Sequence, residues 1–442
     1  MVRDLTRGPI VRGFLLFALP MMAGNLLQQC YNIADTLIVG RALGADALAA
    51  VGASYTLMTF LTSIFLGLSM GAGTLFSIYR GGGREDDLRS GIFQGLLLIL
   101  GVTLALNVGV YAFLKPILTF LQVPEELRGD MAEYLRIIFA GLMASALYNY
   151  LACLLRALGN SVAPLVFLLL ATVGNVGLDL AFVLGLGWGI AGAAWATIAA
   201  QGLSAAGLTL YFLNKCRSLL PRRTHRRFNG RILKEILQLS WLTCLQQSVM
   251  NFGILMVQGL VNSFGATIMA AFAAAVKIDT FAYLPVQDFG NAYSTFVAQN
   301  FGAGNHQRIR QGTRQALFIS AGFGAILSGA VCLLARPLMG LFVSAGEAGV
   351  IAAGVDYLRI EGAFYPGIGV LFLLYGYFRG MQKPMTSVVL TVISLGTRVA
   401  LAYGFSALWG PEGIWVSIPV GWFLADAAGL WKMRQSLRRE KC

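Results

Sequence analysis

The apolar positions of this chain run in long unbroken blocks separated by short polar loops. Twelve blocks reach at least ~18 residues, the length at which an apolar helix crosses a bilayer. They cover 12–39, 48–79, 91–114, 131–155, 165–184, 190–213, 234–262, 267–299, 311–334, 354–378, 385–408 and 414–432. Several exceed about 25 residues, which predicts tilt or kinks. No block alternates with the period-two pattern of a strand, so a β-barrel is not expected. The pattern predicts an all-α integral membrane protein with twelve transmembrane helices.

Composition agrees. Apolar residues make up 57% of the 442 and charged residues 12%, against roughly 25% charged in a soluble domain. So few charges cannot coat a soluble globule of this size, and a soluble enzyme or a disordered chain is excluded. The first apolar run, Phe14 to Val39, is too long for the core of a secretory signal. The six cysteines form no CxxC pair and the two histidines sit in basic loops, so neither a disulfide framework nor a cofactor is expected. There is no nucleophile–base set, which argues against an enzyme.

The net charge of +13 would suggest nucleic acid in a soluble protein. Here its distribution decides. With the N-terminus on one side of the membrane, 25 basic residues fall on that side and four on the other. Basic loops stay cytoplasmic. The bias therefore predicts a bacterial cytoplasmic membrane protein with both termini inside and no nucleic-acid partner. Eight of those residues cluster in and beside the stretch Asn214 to Gly230.

The chain also repeats itself at a spacing of 221 residues. Gly44-Ala45 meets Gly265-Ala266, Gly81, Gly83, Arg89 and Gly91 meet Gly302, Gly304, Arg310 and Gly312, and Pro116 meets Pro337. A two-residue insertion then aligns Tyr134-Leu135-Arg136 with Tyr357-Leu358-Arg359, and Arg156 with Arg379. Each copy has six spans, an even number, so the copies are parallel repeats. The reading is a two-lobed bundle: a six-helix lobe over 1–213, a cytoplasmic linker over 214–233 and a second six-helix lobe over 234–442. Transporters place cargo at the interface of such repeats, whereas a channel or receptor would not need the doubling.

Six acids lie within spans, where an aspartate costs roughly 2.5–3.5 kcal/mol and function is the first hypothesis. Asn25, Gln28, Asn32 and Asp35 are spaced to line one helix face with polar groups. Pro20, on the same span, lacks an N–H and can bend it. On the fifth span Asn175 and Asp179 are one turn apart, and Thr197 follows on the sixth. Two carboxylates, an amide and a hydroxyl are hard oxygen ligands for a proton or Na⁺. A structural polar stripe is the competing reading, stronger for Asp179 than for Asp35. In the second copy Asp35 becomes Met256 and Asn32 becomes Gly253, so this set belongs to the first lobe alone. The second lobe has Lys277, Asp279, Asp288 and Arg398 as secondary candidates, for which internal salt bridges are an equal reading. Glu361 and Asp426, nearer span ends, carry structural weight.

These residues resemble the multidrug and toxic compound extrusion (MATE) family along nearly the whole chain. Ala34-Asp35-Thr36-Leu37-Ile38-Val39-Gly40, followed by Gly44-Ala45-Asp46-Ala47-Leu48-Ala49-Ala50, is similar to the family's first helix and the loop after it. Tyr293 to Gly304 is similar to its eighth, and Arg156-Ala157-Leu158-Gly159 and Arg379-Gly380 match its paired loop motifs. The resemblance implies outward antiport of small amphipathic, often cationic compounds, driven by inward H⁺ or Na⁺. It also implies a cation-coupling role for Asp35, Asn175, Asp179 and Thr197, as in the prokaryotic DinF-like branch, and a bending role for Pro20. Other branches carry a glutamate on span seven, where this chain has Gln246, Gln247 and Asn251, and their span-ten aspartate is not obvious here. The expected partners are the cargo and membrane lipids, and the expected state is a monomer. A lipid-linked oligosaccharide flippase of the same superfamily is the main alternative. Its anionic cargo calls for a cavity lined with cations, and only Lys277 and Arg398 lie deep within spans. The charge bias makes one direct prediction: with the native cysteines removed, a cysteine at Ser218 resists impermeant thiol reagents in intact cells, and robust labelling from outside reverses the orientation.

Overall fold

A computed structural model describes residues 3–120, 125–344 and 346–439. Lys441 and Cys442 lie outside the described residues, as do the side chains of Ala34, Thr36, Leu37, Ala45, Asp46, Leu48 and Ala49 in the first-helix motif. The described residues form helices α1 (Ile10–Leu43), α2 (Ala45–Gly81), α3 (Glu85–Phe120), α4 (Glu125–Ala140), α5 (Leu142–Ala157), α6 (Val162–Asp179) and α7 (Gly189–Lys215). The second set is α8 (Gly230–Asn262), α9 (Ala266–Gly302), α10 (His306–Gly340), α11 (Ala348–Gly362), α12 (Tyr365–Gly380), α13 (Pro384–Trp409) and α14 (Pro411–Arg439). Among the described residues there is no strand.

Among the described residues ten helices are long and apolar enough to cross a membrane, and the number reaches twelve with each of two bent pairs taken as one span. Span four is α4 and α5, which meet at 46°; span ten is α11 and α12, which meet at 52°. The causes are local. Gly141, between α4 and α5, lies so close to the Ile198 side chain that a Cβ would collide with it. At the second break Pro366 sits in the first turn of α12, where its missing N–H is harmless but would leave a gap in a continuous helix. Both breaks fall at equivalent places in the two copies.

The repeat is visible in backbone geometry. Gly44 and Gly265, which precede α2 and α9, both have φ of 90°, a conformation costly for any residue with a Cβ. Gly159 and its counterpart Gln382 are also both left-handed, at 88° and 57°, and Gln382 is the one non-glycine residue of that kind among those described. Glycine is required only in the first copy, where a Cβ at position 159 would run into the Arg3 carbonyl. Helix pairing repeats too: α2 packs on α5 as α9 packs on α12, and α6 on α7 as α13 on α14. The two most apolar spans are the equivalent α3 and α10, each with mean hydropathy 2.2. Their outer faces present large exposed side chains such as Leu97 and, at the matching position, Phe318. In water such faces would be unstable; in lipid they are the solvent-compatible surface.

The chain divides into two compact units. One comprises residues 1–4 and 23–244, the other residues 5–22 and 245–442. The passages from unit to unit lie inside helices, two residues after Pro20 in α1 and at Cys244 in α8. The first half of α1 therefore belongs to the core of the second unit. Phe14 and Phe17 are buried there, and the Phe14 ring stands edge-on to Phe289 with centroids 4.5 Å apart. Equivalently, Ile232, Ile236 and Leu239 of α8 belong to the core of the first unit. Gly67 and Gly71 of α2 admit this half of α8 at backbone distance. A Cβ on Gly67 would lie 2.6 Å from Cys244 Cα, and the Ser240 hydroxyl donates to the Leu68 carbonyl at 2.9 Å.

That contact is testable. Gly67→Ala forces two backbones apart and is expected to cost about 1–3 kcal/mol, seen as a lower unfolding midpoint of the detergent-solubilised protein. Gly101→Ala, where a Cβ meets nothing within 4 Å, is expected to leave the midpoint unchanged.

Candidate functional site in the first unit

The site is assembled by three helices of the first unit. Asp35 comes from the second half of α1, Asn175 and Asp179 from the last turns of α6, and Thr197 from the middle of α7. The i, i+4 spacing puts Asn175 and Asp179 on one face. Directly after Asp179 the helix widens into a π-helical turn, Leu180–Gly185. Such turns insert an extra residue per loop, shift the register of side chains and are frequent at functional sites. Asn175, Asp179 and Thr197 are buried, and Asp35 is partly buried.

The Asp35 and Asp179 carboxyls face one another within hydrogen-bond reach. Two carboxylates are both acceptors, so this contact is a hydrogen bond only when one of them carries a proton. Neither oxygen of Asp179, nor Oδ1 of Asp35, nor either polar atom of the Asn175 amide has a hydrogen-bond partner in the protein. Five orphaned polar atoms so close together are unusual, because buried polar groups are as a rule satisfied.

Tyr31 completes the wall. It lies one turn before Asp35 on α1, its hydroxyl is 3.3 Å from the Thr197 hydroxyl, and it is in electrostatic contact with both aspartates. Tyr134 of α4, also buried, feels the same two charges and Tyr31. Neither tyrosine was among the expected site residues. Tyr31 was open to the i, i+4 argument from Asp35, whereas Tyr134 is nearly a hundred positions away and only packing brings it in. Of the other α1 candidates, Asn25 and Asn32 are partly buried and Gln28 is exposed. Pro20 lies within the unbroken α1, beside its passage from one unit to the other.

The second unit gathers a different cluster. The Tyr365 hydroxyl of α12 donates to Asp279 Oδ1 of α9 at 2.8 Å. Glu361 of α11 is hydrogen-bonded to Tyr357, and Arg398 of α13 is in electrostatic contact with both acids. Of the secondary candidates, Asp279 and Arg398 are thus brought together, while Lys277 is exposed and parted from them. Asp288 is buried elsewhere on α9 and has interactions of its own. Glu361, expected nearer a span end, is 4% exposed and belongs to this cluster, because the break after Gly362 folds that end into the interior. The two clusters differ in kind: here an arginine and two tyrosines accompany the acids, whereas the first unit's pair has no basic partner among the described residues. No group of three or more His, Cys, Asp or Glu among the described residues could hold a metal ion.

Comparison with known proteins places this geometry. The sequence model of the MatE family matches residues 20–181 and again 243–404, one match for each repeat. YpnP of Bacillus subtilis, named a probable multidrug resistance protein, is 31% identical, and the alignment covers 97% of each chain. A protein of Shewanella oneidensis named an FAD transporter is 25% identical over 94% of this chain and 92% of its own. A solved structure of a MATE protein in complex with MaL6 superposes with a TM-score of 0.94 over 100% of this chain and 99% of that one, at 22% identity, a likeness of fold.

Proposed function

The chain belongs to the MatE family of membrane transporters, which are not enzymes, and from that premise we propose that it is a secondary antiporter exporting small amphipathic, often cationic compounds in exchange for H⁺ or Na⁺. One observation carries the coupling: the facing carboxyls of buried Asp179 and partly buried Asp35, without a basic partner among the described residues and with three of their four oxygens unsatisfied. Two like charges held together away from water repel strongly. The pair is relieved by a proton, which turns one carboxyl into a donor to the other, or by Na⁺. Na⁺ would draw on the Asn175 carbonyl oxygen and the Thr197 and Tyr31 hydroxyls as further hard ligands.

Coupling follows from where these residues sit. Asp35 rides on the part of α1 that belongs to the first unit, and the part before it belongs to the second. Taking up or losing a cation changes what the Asp35 turn prefers to pack against. Pro20, next to the passage, is the place where α1 gives, since no hydrogen bond from its nitrogen resists bending. Alternating access then needs only that the empty and loaded pairs favour different packings of one helix. The relatives named for multidrug resistance support the cargo class. So does the second unit, where Arg398 is matched by two acids. The charge bias supports a cytoplasmic location for the linker and both termini, and the protein is taken to act as a monomer.

The test is efflux of a cationic dye from proteoliposomes under separately imposed pH and Na⁺ gradients. Asp35→Asn and Asp179→Asn keep size and hydrogen bonding but cannot titrate. Each is expected to abolish uphill efflux in protein that still inserts, and near-normal gradient-driven transport by both removes the coupling site.

Ion identity has its own measurement. Protons and Na⁺ compete for the same carboxyls, so Na⁺ binding to purified protein is expected to be weaker at about pH 6 than at about pH 8. Asn175→Ala is expected to weaken Na⁺ binding several-fold more than it slows proton-driven efflux. Equal Na⁺ affinity at both pH values rules out a shared site. Absence of Na⁺ binding at both leaves a proton-only antiporter.

A further inference from the structure

The linker is not a loose tether. Leu219 is buried in the core of the first unit, with Cys216 and Leu220 packed against it. Polar bonds fix the rest to the turn between α2 and α3. The Arg89 guanidinium donates to the Ser218 carbonyl at 3.0 Å, and Arg231 donates to Asp87 at 2.8 Å. His225 is the clasp. The Arg222 amide donates to its Nδ1 at 3.3 Å, which leaves the proton on Nε2, 3.1 Å from Asp86 Oδ1. The acids of that turn are thereby engaged: Asp87 also holds Arg84, and Glu85 and Asp86 hold Arg89.

What remains is an unbalanced positive surface. Of the eight basic residues in and beside the linker, Arg231 is the one paired with a carboxylate among the described residues. Arg217, Arg222, Arg223, Arg226 and Arg227 are all exposed, and four of them lie within six residues on one 3₁₀ turn and its end. The backbone that carries them is anchored to the first unit, so their Cα positions stay clustered. Their height relative to the membrane is set as well, because α7 ends its span at Lys215 and α8 begins its span at Gly230. An aromatic ring adjoins them in sequence outside the core: Phe228, 77% exposed. Exposed aromatic side chains beside basic ones, at the end of spans, match the headgroup layer of a bilayer, where rings sit among acyl chains and guanidinium forks pair with phosphates.

We propose that the folded linker is a binding site for the phosphodiester headgroups of anionic phospholipids, with Arg222, Arg223, Arg226 and Arg227 as phosphate ligands and Phe228 inserted beside them. The site belongs wholly to the first unit, so the lipid holds the unit that carries Asp35 and Asp179. Orientation by charge alone needs the same arginines in number but not in place. A site needs them clustered on an anchored backbone and without carboxylate partners, as they are among the described residues here.

The proposal is tested on the full chain in detergent, by native mass spectrometry with phosphatidylglycerol or phosphatidylcholine added in equal amounts. The wild-type protein is expected to retain phosphatidylglycerol about tenfold better than phosphatidylcholine. Exchanging Arg222, Arg223, Arg226 and Arg227 together for Gln is expected to erase that preference, and exchanging them for Lys to restore most of it. Arg434→Gln with Arg438→Gln, which removes two cations from the end of α14, is expected to leave it intact. Gel-filtration profiles identify any variant that has lost its fold, and the Lys exchange provides the reading if the Gln exchange has. Undiminished preference after the Gln exchange overturns the site. So does an equal loss after the α14 exchange, which would mean diffuse charge. Equal affinity for a soluble polyphosphate would mean a site for polyanions at large. Because binding is read without transport, failure here leaves the coupling site untouched.

Discussion

A backbone amide inside hydrocarbon has no water to bond with, and most of this architecture follows from that constraint. Every span is a helix because only a helix satisfies its own amides. Where spans four and ten are interrupted, they are interrupted against protein. The break at Gly141 is packed on Ile198, and Gly324 lies against the backbone of Pro366 so closely that a Cβ would stand 2.9 Å from it. The π-turn after Asp179 obeys the same rule, re-pairing its amides one residue further on. The breaks in spans four and ten fall where neighbouring helices press close; the non-helical turn at Phe113 of α3, three residues before Pro116, is different, with its side chain exposed.

The same scarcity of polar partners gives the acid pair its character. In water, Asp35 and Asp179 would each be hydrated and indifferent to the other. Between α1, α6 and α7 they have one another, an unsatisfied amide and two hydroxyls. The second unit solves an equivalent problem in the opposite way, meeting Asp279 and Glu361 with Tyr365, Tyr357 and Arg398. One cluster is left without a basic partner among the described residues and the other is accompanied by an arginine and two tyrosines, although the two units follow one sequence pattern.

The exchange of half-helices connects the acid pair to the rest of the molecule. Because α1 and α8 each begin in one unit and end in the other, neither unit is a contiguous stretch of sequence. Asp35 and the buried Phe14 and Phe17 thus lie on one helix, with Pro20 between them. Linker and acid pair lie in the same unit, and the linker's clasp through His225 and Arg231 keeps that unit's polar end in place.

Length and strength of the apolar blocks determined the class of protein and the number of spans, because a bilayer reads those properties residue by residue without reference to fold. The 221-residue echo likewise determined the doubling, down to paired left-handed backbones at Gly44 and Gly265. Asp35, Asn175, Asp179 and Thr197 were legible as candidates because a buried carboxylate is expensive wherever it occurs. Other features were decided only by tertiary structure. Tyr134 reaches the site across a distance in sequence that no local spacing encodes. The bends in spans four and ten depend on what Gly141 and Pro366 meet. Glu361 reads as peripheral until the bend folds it inward. The division into units passes through α1 and α8 because the two halves of each helix find their apolar partners in different cores, and a hydrophobic pattern records that a face is buried but not against which neighbour.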